Sequence, residues 1–132
     1  MFKLDLSKTF LCAVLFTLLD EQGRQQKHEI KLRFKRISSE ANRQLLADIQ
    51  QLERDRKAAA EEGLSDSPRQ QLESEADFLL KVVEGWEGVE IGGSTEFSRD
   101  NLIKLIDAVP NLIGEIWSAF FTASAGGQKR KN

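Results

Sequence analysis

A chain of 132 residues is long enough for one domain with its own core. Its composition, 40% hydrophobic and 30% charged, is that of a globular domain, and its net charge of −2 gives no overall attraction to nucleic acid. One cysteine, Cys12, and one histidine, His28, exclude an internal disulfide and a zinc cage. No phosphate-binding loop, dinucleotide glycine pattern or nucleophile elbow occurs, so we expect neither an enzyme nor a cofactor or metal site.

The first apolar run, residues 10–19, reads FLCAVLFTLL. A signal peptide is one interpretation of this run. However, Asp5 lies in what would be the basic region, and no small-residue cleavage site follows. Ten residues are also too few to cross a bilayer, so we expect no membrane contact. The run therefore favours a β-strand.

The second run, His28 to Ile37, alternates strictly between apolar and polar residues, as half-buried strands do. A turn with Gly23 separates the runs, which predicts a hairpin over about 10–37. Helices can cover only one face of such a two-stranded ribbon, but the first strand is apolar on both of its faces. The cationic face with Lys31, Arg33 and Lys35 indicates a solvated surface rather than a nucleic-acid site. The two faces of the first strand are Phe10, Cys12, Val14, Phe16 and Leu18, and Leu11, Ala13, Leu15 and Leu19.

Two helices should form a hairpin next. Ser38 or Ser39 caps a helix over about 39–62, and Gly63 ends it. Ser67, Pro68 and Gln70 have the pattern of a capping box and begin a helix over about 68–85. The tip of this hairpin, about 55–67, has few apolar residues and should project from the core.

A glycine-flanked tryptophan should form a corner after this helix. Phe78, Leu79, Val82, Val83 and Trp86 recur at helical spacing, which predicts that Trp86 folds back on the preceding helix, near Trp117 or Phe120. The residues of this structural corner are Gly85, Trp86, Gly88, Phe97 and Ser98, the last of which caps the following helix.

Two further helices, about 99–108 and 110–124, complete the predicted fold, and residues 128–132 form a basic tail that we expect to be disordered. The fold class is therefore α+β, mainly α, with an N-terminal β-hairpin packed on four helices in a single small domain, 1–127. The apolar surface exceeds what one ribbon can bury, so we expect self-association. A ribbon sandwiched by helices of its own chain remains the alternative. The candidate interface comprises Phe10, Val14, Leu15, Phe16, Trp117, Phe120 and Phe121.

From Asp77 onward a set of residues recurs in an order that is typical of one known family. These residues are Phe78-Leu79, Val83, Gly85 to Val89, Phe97-Ser98, Leu102, Leu105, Pro110, Ile116, Phe120 and the ending Lys129 to Asn132. In this order the chain resembles the tail assembly chaperones of long, non-contractile-tailed bacteriophages and prophages. The resemblance implies a protein of the host bacterial cytoplasm, absent from the mature virion, that binds the tape measure protein, keeps it soluble and helps recruit tail tube protein subunits. It implies no cofactor, nucleic acid or membrane.

Two other functions are compatible with parts of the sequence. A small phage-encoded DNA-binding or regulatory helical protein would use the tryptophan corner as a helix-turn-helix. However, Arg99 and Lys104 of the following helix are balanced by Asp100 and Asp107. An accessory subunit with a purely structural role is the third possibility.

Overall fold

The computed structural model describes residue 2 and residues 7–124 of the chain. Within that part, strands and helices confirm the predicted fold class, an α+β domain with an N-terminal hairpin and four helices. The predicted tail, 128–132, lies outside the described residues. The elements are β1 (Thr9–Leu19), β2 (Gln25–Lys35), α1 (Ser39–Glu61), α2 (Pro68–Leu79), β3 (Val83–Glu87), α3 (Arg99–Ala108) and α4 (Leu112–Ser124).

The β1–β2 hairpin closes through an aspartate turn. β1 and β2 pair antiparallel from Thr9 opposite Lys35 to Leu19 opposite Gln25. The Asp20 carboxylate accepts the backbone N–H groups of Gln22 and Arg24, each at 2.9 Å. These hydrogen bonds, the one from Arg24 foremost, favour the ionised form and lower the pKa of Asp20. The turn is therefore fixed by its own sequence, as the glycine-containing pattern indicated.

A third strand, β3, corrects the predicted end of the second helix. α2 ends at Leu79 instead of continuing to residue 85. β3 then pairs antiparallel with β2, so that Trp86 lies opposite Leu32 in the order β1-β2-β3. Valines and a glycine are weak helix formers, and the open side of β2 offers this segment backbone partners that a longer helix could not use.

The core lies on one face of the sheet, under the helices. Phe34 on β2 and Phe120 on α4 are fully buried, and their ring centroids are 5.2 Å apart. Leu102 on α3 and Ile116 on α4 are buried with them. The inward-facing residues of β1, Val14 and Phe16, complete this layer, which confirms that the helices cover a single face of the hairpin.

The ends of the two helices in the α1–α2 hairpin are defined by capping hydrogen bonds more than by buried side chains. Ser38 accepts the backbone N–H of Ala41, and Ser67 with Gln70 forms the predicted capping box. Gly63 has a positive φ of 73°, where glycine is the favoured residue. Leu45 is the one buried residue of α1, so this 23-residue helix packs mainly along its N-terminal half.

The corner residues are arranged differently from the prediction. Trp86 is half-buried, and its ring meets Phe97 edge to face at a centroid distance of 5.0 Å, not Trp117 or Phe120. Its indole N–H donates to the Thr95 carbonyl at 3.1 Å. Gly85 lies inside β3 without a positive φ, whereas Gly88, with φ of 81°, follows the strand. Ser98 caps α3 as predicted, by accepting the Asn101 backbone N–H at 3.1 Å.

Candidate partner-binding face

The outer face of the hairpin carries an exposed apolar row. Leu11, Leu15 and Leu19 of β1 are 39%, 63% and 68% exposed, and Ala13 between them is also exposed. Successive side chains of a strand point to opposite faces, so the same strand that contributes Val14 to the core must present these residues to solvent. We call Leu11, Ala13, Leu15 and Leu19 the outer row.

A largely cationic row lies beside the outer row. In the antiparallel register Leu11 is opposite Arg33, Ala13 opposite Lys31 and Leu15 opposite Glu29. All three β2 residues are exposed. With Lys27 and Lys35 at the two ends, the outer face of β2 has four cations and one acid, next to a strand that has no charged residue. This face can bind an apolar surface bordered by acidic groups.

The structure places the candidate interface residues in three different environments. Leu15 is exposed, and Phe10, Trp117 and Phe121 are half-buried. The remaining three are buried in the core of the single chain, and their place in an interface stays a prediction. These three are Val14 and Phe16 on the covered face of β1 and Phe120 on α4.

The outer-row residues also direct their backbone groups away from β2. The Asp20 N–H bonds to the Arg24 carbonyl, and the Arg36 N–H bonds to the Lys8 carbonyl, at opposite ends of the hairpin. Because bonded and non-bonded pairs alternate along an antiparallel ladder, even-numbered residues of β1 bond to β2. Odd-numbered residues therefore face the free edge. The Thr17 carbonyl agrees with this parity, since it accepts the Asn111 side chain at 3.5 Å.

An open groove of about 420 Å³ runs between the free edge of β1 and helix α4. Cys12 is one of its lining residues, and burial raises the pKa of the Cys12 thiol, which disfavours the reactive thiolate. Its α4 wall is made mostly of small side chains: Glu115, Ser118, Ala119, Thr122 and Ala123.

The helix-turn-helix interpretation is wrong for this fold. β3 and residues 88–98 separate α2 from α3, whereas that motif joins its helices by a turn of about three or four residues. The guanidinium of Arg99 at the start of α3 is bound to the Asp77 carboxylate at 2.8 and 3.3 Å. This bond raises the pKa of Arg99 and lowers that of Asp77. Arg99, one of the two cations of α3, is therefore held by an acidic side chain of the same chain.

Other kinds of site are missing from the described part of the chain. Residue 2 and residues 7–124 contain no cluster of histidine, cysteine or acidic side chains that could hold a metal ion. None of the helices within those residues is long and apolar enough to cross a membrane.

The sequence-based interface omitted residues that the structure brings together. Leu11, Ala13 and Leu19 belong to the outer row but were not among the candidate interface residues, and neither were Lys27 and Lys31 of the adjacent row. The signal was the alternation of the two strands, which already assigned each residue to a face. What was missing was the knowledge of which face the helices cover.

Comparison with known proteins gives one finding. A family model described as phage tail assembly chaperone matches residues 1–132, the whole chain. No curated protein shows significant similarity. No solved structure does so either.

Proposed function

Because the chain belongs to the phage tail assembly chaperone family, we propose that it binds the tape measure protein and keeps it soluble in the host bacterial cytoplasm. It also helps recruit tail tube protein subunits, and it is absent from the mature virion. The exposed outer row of β1, bordered by cations on β2, is the observation that supports this proposal.

The outer row fits an amphipathic helix in length. Leu11 to Leu19 spans eight residue steps of a strand, about 26 Å at roughly 3.3 Å each. That length corresponds to about 17 residues of α-helix at 1.5 Å per residue. A long helical tape measure must keep its apolar stripe out of water until assembly. Covering a leucine of this row contributes up to about 1.5–3 kcal/mol.

The flanking charges give the interaction its selectivity. Lys27, Lys31 and Arg33 are exposed on the same face. They favour a helix whose apolar stripe is bordered by aspartate or glutamate, and they disfavour a basic one. Recruitment of tail tube subunits belongs to the same proposal, but its support is the family alone.

The proposal is tested by co-expressing the chain with a helical segment of its tape measure protein and measuring the soluble fraction of that segment. Leu15→Ser should lower the soluble fraction several-fold while the chaperone stays folded by circular dichroism. Leu64→Ser is the matched control, because Leu64 is a leucine of similar exposure, 68%, between α1 and α2. Equal protection by wild type and the Leu15 variant would refute this assignment of the face.

A further inference from the structure

The sequence of β1 is nearly symmetric about one residue. Residues 9–17 read TFLCAVLFT, which is the same in both directions except at Cys12 and Val14. The centre of this palindrome is Ala13, a small residue in the middle of the strand. A palindrome has a structural meaning for a strand when two copies run antiparallel, because each residue i then lies opposite residue 26 − i of its partner.

The backbone of β1 is oriented to make this pairing. Ala13 is odd-numbered, so its N–H and carbonyl point to the free edge, as do those of Leu11 and Leu15. Among the described residues, the hydrogen bonds to carbonyls along this edge come from Ser7, Cys12 and Asn111. The one at Ala13 is a 3.6 Å contact from the thiol of the adjacent Cys12, which leaves the central edge available for a strand.

We propose that β1 pairs antiparallel with β1 of a second copy, about a two-fold axis at Ala13, to form one continuous six-stranded sheet. The occupant is a second copy because the palindrome places identical residues opposite each other at every position except Cys12, which meets Val14 of the partner subunit. Leu11 meets Leu15 of the partner subunit on the outer face, where apolar cross-strand pairs stabilise a sheet. On the inner face Phe10 meets the partner's Phe16. At the ends Thr9 meets the partner's Thr17.

The residues around the β1 edge are compatible with pairing to a second copy. β1 contains no charged residue, so no like charges face each other across the axis. The groove beside the edge has Ser118, Ala119 and Thr122 on its α4 wall. Small side chains there let the α4 helices of the two copies approach on the covered side of the sheet.

Pairing would double the outer row. Two β1 strands about 4.8 Å apart would place their leucines side by side, with the cationic row of each copy on the outer flanks. This wider apolar face bears on the proposed function, but the pairing itself does not depend on it. A failed tape measure assay would leave the pairing intact, since the experiment below uses the chain alone.

Disulfide trapping tests the register. In a Cys12→Val background, which completes the palindrome, Ala13→Cys places one thiol opposite its own copy. The Cα atoms of a hydrogen-bonded antiparallel pair lie about 5.5 Å apart, inside the range that a disulfide spans. Leu15→Cys is the matched control in the same background. In this register residue 15 of one copy lies opposite residue 11 of the other. The two introduced thiols are therefore offset by four residues along the strands, about 13 Å.

The expected result is near-complete oxidation of the Ala13→Cys protein to a covalent dimer on a non-reducing gel, while the Leu15→Cys protein stays at the monomer position. The double variant Leu11→Cys/Leu15→Cys should again form the covalent dimer. The proposal is overturned if Leu15→Cys crosslinks as fast as Ala13→Cys. It is equally overturned if Ala13→Cys stays monomeric at high micromolar concentration.

Discussion

The two edges of the sheet differ in almost every property that controls strand pairing. β1 is 11 residues long, has no charged residue and exposes leucines on its outer face. β3 is five residues long, includes Glu84 and Glu87, and has Gly85 at its centre. The ladder beside β3 is irregular between Arg33 and Phe34, and Gly88 turns the chain away from the edge.

This difference indicates what each edge is for. Proteins protect exposed sheet edges with short strands, charges and bulges, because an unprotected edge pairs with other chains. β3 has all three devices and β1 has none of them. The contrast within a single sheet favours the interpretation that the β1 edge is kept open for a partner, whereas the β3 edge is only a boundary of the fold.

The largest effect is expected from a substitution in the buried layer under the sheet, because both edge strands pack on that layer. Phe34 is fully buried on the central strand and contacts the rings of Phe10 and Phe120. Phe34→Ala should lower the free energy of unfolding by about 3–5 kcal/mol, the usual cost of an aromatic cavity. Denaturant unfolding measures this. The matched change on the exposed face, Leu15→Ala, should stay within about 0.5 kcal/mol under monomeric conditions.

The next effect concerns what holds β3 in place. Trp86 is half-buried against Phe97 and donates to the Thr95 carbonyl. Trp86→Ala should therefore cost roughly half of a fully buried aromatic residue, about 1.5–2.5 kcal/mol. Amide hydrogen exchange should accelerate in Val83–Glu87 and remain slow in β1. Equal acceleration in both strands would show that the two edges are not independent.

A smaller effect, which depends on pH, is expected at the ion pair between the helices on either side of β3. Asp77 of α2 and Arg99 of α3 join the helices that precede and follow β3. The hydrogen bond from Arg99 lowers the pKa of Asp77. A lowered folded-state pKa contributes stability above the unfolded value, near 3.9, that is lost as the pH falls through the folded value. Asp77→Asn should be less stable than wild type at pH 7, and the difference should shrink on acidification below pH 4.

The hairpin and the helix starts could be predicted from local sequence. The alternation of Ile30, Leu32 and Phe34 assigned β2 and its buried face. Ser38, Ser67 and Ser98 each accept the backbone N–H of the third residue of a helix, as their patterns indicated. Each of these features depends on residues that are close in sequence, so a single chain is enough to identify them.

The third strand could not be predicted in the same way. Val82, Val83 and Trp86 fit a helical stripe and a strand equally well, because a five-residue segment is too short for its periodicity to distinguish the two. The choice was made by the distant strand β2, whose Leu32 lies opposite Trp86. The local sequence also leaves open, for the same reason, which apolar face of β1 is covered. Val14 and Leu15 are adjacent apolar residues, and only the position of α4 shows which of them is buried.

The mass of the chain in solution tests most directly whether the two edges differ in function. Static light scattering at high micromolar concentration should give twice the 14.9 kDa chain mass for wild type. Ala13→Lys places like charges opposite each other at the proposed axis, so its mass should fall toward one chain while its circular dichroism is unchanged. Glu84→Lys, which places the same side chain on the β3 edge, should leave the dimer mass intact. A wild-type mass of one chain, or equal loss of mass in both variants, would contradict the account.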